Sequence, residues 1–266
     1  MADDMHVAPH SGRQGLCVVA LAAVTGMAPG AAQGGLGAIY VENWVDYQKN
    51  ENATDQWKYE PRLYVPYHFD NGATFTQRVD VPMIYTNTTG AGNPNGGYSG
   101  GIGDVFIEEY YETPEIAPNL RLKASVRFVF STGKQSPFGS SQFQWGPAAG
   151  LIYSIPNALQ GVTLAPYVRY MSGFDPTYDN VSEKRELNLY PTATFGLPEQ
   201  WSFILYPDNP ITYDVQKKTW FVPLDLMLAR RIDKTFDFGI GGAWKLGNPS
   251  DPTYRYIIDA RLNIHF

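Results

Sequence analysis

The chain has 266 residues, of which 44% are hydrophobic, 14% aromatic and only 17% charged, enough for one large domain. Beyond the N-terminus no apolar run is long enough to cross a bilayer as a helix, which excludes a helical membrane protein. A net charge of -6 and the lack of any basic run argue against a nucleic-acid partner.

Residues 1–32 read as a secretory signal peptide that is cleaved, leaving one domain over 33–266. Arg13 precedes an apolar run over 16–27, and Gly30-Ala31-Ala32 supplies small residues for cleavage ahead of Gln33. Asp3 and Asp4 are unusual in such a leader and point to a true start at Met5. Cys17 is the only cysteine and lies inside the apolar run. The mature domain then has no thiol and no disulfide framework, as suits an oxidising envelope.

From Leu36 onward, twelve segments alternate apolar and polar residues: 36–48, 56–69, 73–86, 101–112, 120–131, 142–155, 162–172, 183–195, 201–207, 219–231, 235–245 and 253–266. Each is about the length that a tilted strand needs to cross a membrane. In the second, Trp57, Tyr59, Leu63, Val65, Tyr67 and Phe69 share one face, and Lys58, Glu60, Arg62, Tyr64 and His68 share the other. The tenth presents Trp220, Val222, Leu224, Leu226 and Leu228 on one face; the eleventh presents Phe236, Phe238, Ile240, Gly242 and Trp244. The first is ambiguous, because Asn43 shares the face of Ile39, Val41 and Val45.

Connections after even-numbered segments are short, 113–119 being the longest, whereas those after odd-numbered segments run longer, as at 88–99, 132–141, 173–182 and 208–218. Short periplasmic turns, longer outer loops and an even strand count predict an all-β fold, a transmembrane antiparallel up-and-down barrel of about twelve strands. The aromatics agree. Tyr67, Phe69, Phe75, Tyr111, Tyr153, Phe195, Trp201, Phe203, Phe236 and Phe266 fall outward at the turn rim. Trp57, Tyr59, Tyr85, Phe128, Phe130, Phe143, Trp145, Tyr170, Trp220, Trp244, Tyr254 and Tyr256 fall outward at the loop rim, with aliphatics between the two girdles. Pro61, Pro66, Pro82, Pro166, Pro191 and Pro223 fall within strands of a closed barrel, so bulges are expected there. The last segment ends on Phe266 and resembles the terminal recognition signal of bacterial outer-membrane barrels. That implies outer-membrane lipids and the barrel assembly machinery as partners.

Three short motifs occur in order: Gly101-Ile102-Gly103-Asp104 opening the fourth segment, Ser131-Thr132-Gly133-Lys134 closing the fifth, and Gly139-Ser140-Ser141-Gln142 leading into the sixth. From Gly101 onward the chain resembles the outer-membrane barrel family named for the MetA pathway of phenol degradation. That family usually has Pro where Ser131 stands. The resemblance implies a barrel associated with aromatic catabolism and a transport role, and it brings no catalytic residues.

Under this register the lumen receives Lys58, Glu60, Arg62, Arg78, Asp80, Asp104, Glu108, Lys123, Arg127, Arg169, Glu186, Asn188, Tyr190, Asp225, Arg255, Asp259 and Arg261, with Tyr206 and Gln144 among them. Such mixed rows either guide a solute or fill a narrow barrel with ion pairs. The mature domain has two histidines, His68 and His265, both inward at the turn rim and without a serine at a matching position, so no enzyme is expected. Two histidines without further convergent ligands predict no metal, and no cofactor is expected. Asp175, Asp179, Asn180, Asp208 and Asn209 lie in loops whose spacing matches no calcium site, and solvated turns are expected there. The expected function is an outer-membrane channel passing small, aromatic or weakly polar solutes by passive diffusion. The alternatives are a non-conducting structural or ligand-binding barrel and, more distantly, an outer-membrane acyl hydrolase.

Overall fold

Because side chains on a strand alternate between its two faces, a chain of period-2 segments can bury its polar face from lipid only by closing into a barrel. The structure, a computed structural model, describes residues 34–133, 135–174, 176, 182–246 and 254–266. The expected leader over 1–32, Cys17, Lys134, Asp175, Asp179 and Asn180 lie outside the described residues.

Twelve antiparallel strands run in chain order. They are β1 (Gly34–Leu36 with Tyr40–Lys49), β2 (Asp55–Phe69), β3 (Thr74–Asp80 with Met83–Thr86) and β4 (Ser99–Ile102 with Phe106–Glu112). Next come β5 (Leu120–Val129), β6 (Phe143–Ile155), β7 (Val162–Leu164 with Tyr167–Phe174) and β8 (Arg185–Tyr190 with Ala193–Gly196). The last four are β9 (Trp201–Leu205 with Ile211–Asp214), β10 (Thr219–Phe221 with Pro223–Arg231), β11 (Phe236–Lys245) and β12 (Tyr256–His265). Each strand pairs with its sequence neighbours, and β12 closes on β1 from Tyr256 opposite Lys49 to His265 opposite Tyr40. Closure leaves no free edge.

The outer face is apolar. Val45, Leu63, Leu122, Leu151, Val168, Leu228, Ile240, Ile258 and Leu262 are exposed between the rims. Trp57, Tyr85, Trp145, Trp220 and Trp244 are exposed at the loop rim, and Tyr111, Tyr153, Phe236 and Phe266 at the turn rim. Such an exterior suits lipid. Asn43, the polar residue on this face of β1, accepts a hydrogen bond from the Tyr59 hydroxyl at 2.7 Å and donates to the Leu262 carbonyl at 3.3 Å. Its polar atoms are thus met within the wall.

The prolines mark where the wall is irregular, but not uniformly. The β1–β2 register slips by one residue across Pro66, between Leu36 opposite Tyr67 and Tyr40 opposite Tyr64. The β3–β4 register slips likewise across Pro82, where the Pro82 carbonyl accepts from Gly103 N at 2.7 Å. Pro166 and Pro191 interrupt β7 and β8 with no register slip between those two strands. Pro61 rides inside β2 opposite Asn43 with no break at all.

Two further expectations are corrected. β9 does not end at 207: it leaves the wall over 206–210 and resumes at Ile211–Asp214, so its loop shrinks to 215–218. Tyr254 does not face outward. A bend at Arg255 ahead of β12 exchanges the two faces, leaving Tyr254 only 5% exposed and edge-on to Phe221 at 4.9 Å between ring centres. A one-residue slip inverts every face beyond it, which is why pattern alone misplaces strand ends.

Candidate functional site

Inside the wall, neighbouring strands set charged side chains directly opposite one another, and the register decides the partners. Asp46 of β1 faces Lys58 of β2, and Lys58 Nζ reaches Asp46 Oδ2 at 2.9 Å and Glu60 Oε2 at 2.8 Å. Glu60 also accepts from Arg62 Nε at 2.7 Å. Asp80 of β3, opposite Arg62, lies 3.3 Å from Arg62 Nε and accepts from Arg78 Nε at 2.6 Å. A second network centres on Glu108 of β4. Glu108 accepts from Arg127 Nε at 2.7 Å, from Ser125 Oγ at 2.9 Å and from Arg169 Nη2. Glu108, Asp80 and Arg169 are fully buried, so these are paired interior charges rather than surface decoration.

Aromatic faces fill the space between the arginines. The Arg127 guanidinium lies 4.1 Å from the Phe106 ring centre, Arg62 lies 4.3 Å from that of Trp44, and Lys123 Nζ lies 4.5 Å from that of Tyr110. Tyr167 and Tyr190 stack at 4.2 Å, and Arg169 Nη1 donates to the Tyr190 hydroxyl at 3.2 Å.

The opposite wall is acidic. Asp259 of β12 faces Asp46 across one ladder and the bare Gly241 across the other, and Asp225 stands on β10. Both Asp259 carboxylate oxygens and Asp225 Oδ1 are buried without a hydrogen bond from the described residues. Such atoms require a donor from solvent or from a solute. Most of the inward cations, Lys58, Arg62, Arg78, Lys123, Arg127 and Arg169, stand on β2 to β7, with Arg261 on β12 at 5.7 Å from the Trp44 ring centre, so the lumen is polarised.

The excursion of β9 enters this space. Residues 206–210 are Tyr206-Pro207-Asp208-Asn209-Pro210, and Tyr206 takes a φ of 50°. Asp225 Oδ2 accepts from the backbone N–H groups of Asp208 at 3.0 Å and Asn209 at 2.6 Å, pinning the segment from beneath. The Asp208 carboxylate then crosses the lumen to Arg62, whose Nη1 and Nη2 donate to Oδ1 and Oδ2 at 2.9 Å each. Beside this bridge is a cavity of about 240 Å³ lined by Lys58, Glu60, Arg62, Arg78, Phe106, Arg127, Tyr167, Tyr190, Pro207, Asp208 and Pro210. Asp208 is therefore not the solvated loop carboxylate that its sequence position implies.

The other sequence-predicted residues sort as follows. Asn188 accepts from Thr212 Oγ1 at 2.9 Å, Glu186 pairs with Lys184 at 3.0 Å, and Arg261 lies 3.6 Å from Asp237. Arg255 is exposed in the bend before β12, apart from the buried rows. Asp104 lies in the interruption of β4 and holds a loop: its Oδ1 accepts from Gly133 N at 3.0 Å, and its Oδ2 from Ser140 N and Oγ at 2.6 Å each. Thr132 Oγ1 donates to the Gly103 carbonyl at 2.8 Å, so the three sequence motifs converge on one anchor. A Cβ at Gly139 would lie 2.5 Å from Asp104 Oδ1 and 2.8 Å from Gly133 Cα, which is why glycine stands there. His68 Nδ1 lies 3.2 Å from Thr74 Oγ1, and His265 Nε2 lies 2.9 Å from Asp237 Oδ2. Trp44, Asp46, Phe106 and Asp208 belong to the site and escaped the sequence reading. Trp44 and Asp46 share the inward alternation of β1 and were legible in principle; Asp208 was not.

No protein-family profile matches the sequence, and no curated protein matches it. Solved structures do. An outer-membrane channel from Pseudomonas putida F1 superposes with a TM-score of 0.65 at 10% identity, covering 90% of this chain and 99% of that one. The β-domain of the Bordetella autotransporter BrkA gives 0.49 at 10% identity, over 86% and 99%, and the KdgM porin 0.48 at 10% identity, over 85% and 99%. By the first of these likenesses the chain has the fold of an outer-membrane channel. Closed wall and apolar belt agree with that fold and make it a membrane-spanning β-barrel of the outer-membrane type.

Proposed function

We propose that this barrel is a narrow passive channel for small solutes. The observation that carries this is the cavity beside Arg62, which is lined by charged and aromatic side chains instead of a packed apolar core. Twelve strands fall between the eight that side chains fill and the sixteen that leave a wide pore, so a lumen of single-solute width is the expected size. A polarised lining orients a dipolar solute while opposing strong selectivity for either sign of ion. The convergence of the three motifs on Asp104 supports the resemblance to the phenol-degradation barrels, and with it aromatic or weakly polar solutes. Processing of 1–32 as a leader, and delivery by the assembly machinery through the strand ending at Phe266, belong to the same reading.

The Asp208–Arg62 bridge favours a second reading, a non-conducting barrel closed at mid-height. Single-channel recording in planar bilayers separates the two. Small, discrete conductance steps that grow several-fold in Asp208→Ala support the channel. Silence in both proteins, with no liposome swelling by small solutes, leaves the closed barrel.

A further inference from the structure

We infer that the cavity beside Arg62 is a binding site for a small, flat organic carboxylate, and that the side chain of Asp208 is its tethered competitor. This rests on the channel reading for its purpose, but not for its chemistry.

Arg62 is held as a receptor before any solute arrives. Its side chain is 3% exposed, its guanidinium lies over Trp44, and its Nε is taken by Glu60. Only the terminal Nη1–Nη2 edge is turned toward the cavity. Two parallel N–H donors on that edge match the two oxygens of a carboxylate, the arrangement for which arginine is selected over lysine. Asp208 fills that edge with the geometry a free carboxylate would adopt.

Asp208 is not built into the wall as the other lumen carboxylates are. It stands on a segment that leaves β9, flanked by Pro207 and Pro210 and pinned through backbone N–H groups by Asp225. Rotation of its own side chain releases Arg62 without moving that backbone. Four cations, Lys58, Arg62, Arg78 and Arg127, line the cavity; Asp46, Asp80 and Glu108 pair with Lys58, Arg78 and Arg127 from behind the lining, and Asp208 meets Arg62 from the lumen side. Glu60 is committed to Lys58 and Arg62, whereas Arg127 meets Glu108 through Nε and Nη2, leaving Nη1 without a partner among the described residues. Once Asp208 swings away, an incoming anion is the group that restores the balance.

The remaining walls set the shape. Phe106 beneath Arg127 and the stacked Tyr167–Tyr190 pair offer flat faces. At about 240 Å³ the space is smaller than the roughly 300–1,000 Å³ of sites for drug-sized ligands, which limits the solute to about one ring.

A tethered group competes at an effective concentration in the millimolar range or above, so its removal raises the apparent affinity of a free competitor. The test is calorimetric titration of benzoate into the full-length, detergent-solubilised barrel, with benzamide as the neutral isostere. Asp208→Ala is expected to bind benzoate at least tenfold more tightly than the wild type, with no comparable gain for benzamide. Arg62→Lys in the Asp208→Ala background keeps the buried charge but loses the two-pronged edge, and is expected to lose that gain. Heat-modifiable gel migration verifies that each variant is a folded barrel. Equal benzoate binding by wild type and Asp208→Ala, an equal gain for benzamide, or undiminished binding by the double variant would overturn the inference and leave Asp208 as a brace. Because no transport is measured, a barrel that binds benzoate but conducts nothing refutes the channel reading alone. One that conducts but binds no benzoate refutes this inference alone.

Discussion

Replacing Glu108 with Gln tests whether the lumen charges are held as an interior or bathed as a surface. Glu108 and Arg169 are both fully buried, and the Arg127 side chain is 19% exposed. The substitution keeps the shape and hydrogen-bonding capacity nearest to the carboxylate while removing the negative charge shared by the two arginines. Breaking a buried pair costs about 3–5 kcal/mol, because the surviving charge is left uncompensated. Arg127 retains contact with the lumen, so its share is discounted, and Arg169 sets the scale. A loss of about 3–5 kcal/mol is therefore expected in urea unfolding of the barrel refolded into lipid vesicles. Adding Arg169→Met to Glu108→Gln removes the stranded cation and is expected to restore at least about 2 kcal/mol, a coupling that a double-mutant cycle isolates. A loss below about 1 kcal/mol, or no recovery in the double variant, would refute the reasoning: the arginines would then be solvated and the network incidental.

The loop anchor and the lipid belt yield further predictions. Asp104→Ala strips the acceptor from Gly133 N, Ser140 N and Ser140 Oγ, so limited proteolysis should cut the 131–141 loop several-fold faster while the barrel still migrates as folded. Gly139→Ala drives a Cβ against the Gly133 backbone and should cost about 1–3 kcal/mol in the same unfolding assay, whereas Ala at the open Gly35 should cost less than half as much. Ile240→Arg, mid-strand on the outer face of β11 and 61% exposed, should cost about 2–4 kcal/mol in lipid. Trp244→Arg near the loop rim should cost less than Ile240→Arg, and equal costs at the two depths would contradict the placement of the belt.

The histidines and the prolines show how far a pattern can be read. His68 and His265 were placed inward at the turn rim by alternation alone, but their partners, Thr74 and Asp237, come from the neighbouring strands. Proline was expected to force bulges, and it does at Pro66 and Pro82. At Pro61 the ladder continues, its carbonyl accepting from Val81 N at 3.2 Å. The cost of a missing donor depends on which neighbour would have received it, and that is a property of the assembled wall.

Strand number, the inward or outward sense of nearly every side chain and the apolar belt were determined by the sequence itself. Lipid and lumen each demand one face of every strand, and period-2 alternation is the direct imprint of that demand. Only the tertiary structure decided what the polar face does. Arg62 and Asp208 are 146 residues apart, and no local pattern marks 206–210 as a segment that turns inward instead of out. Closure brings β9 across from β2, Asp225 catches the backbone of the excursion, and a carboxylate that reads as a solvated turn becomes the group facing the arginines. The same distinction separates Tyr254 from Tyr256: a single bend at Arg255 turns one ring into the lumen and leaves the other in the wall. Alternation specifies faces, whereas register and closure specify partners, and the chemistry of this barrel resides in its partners.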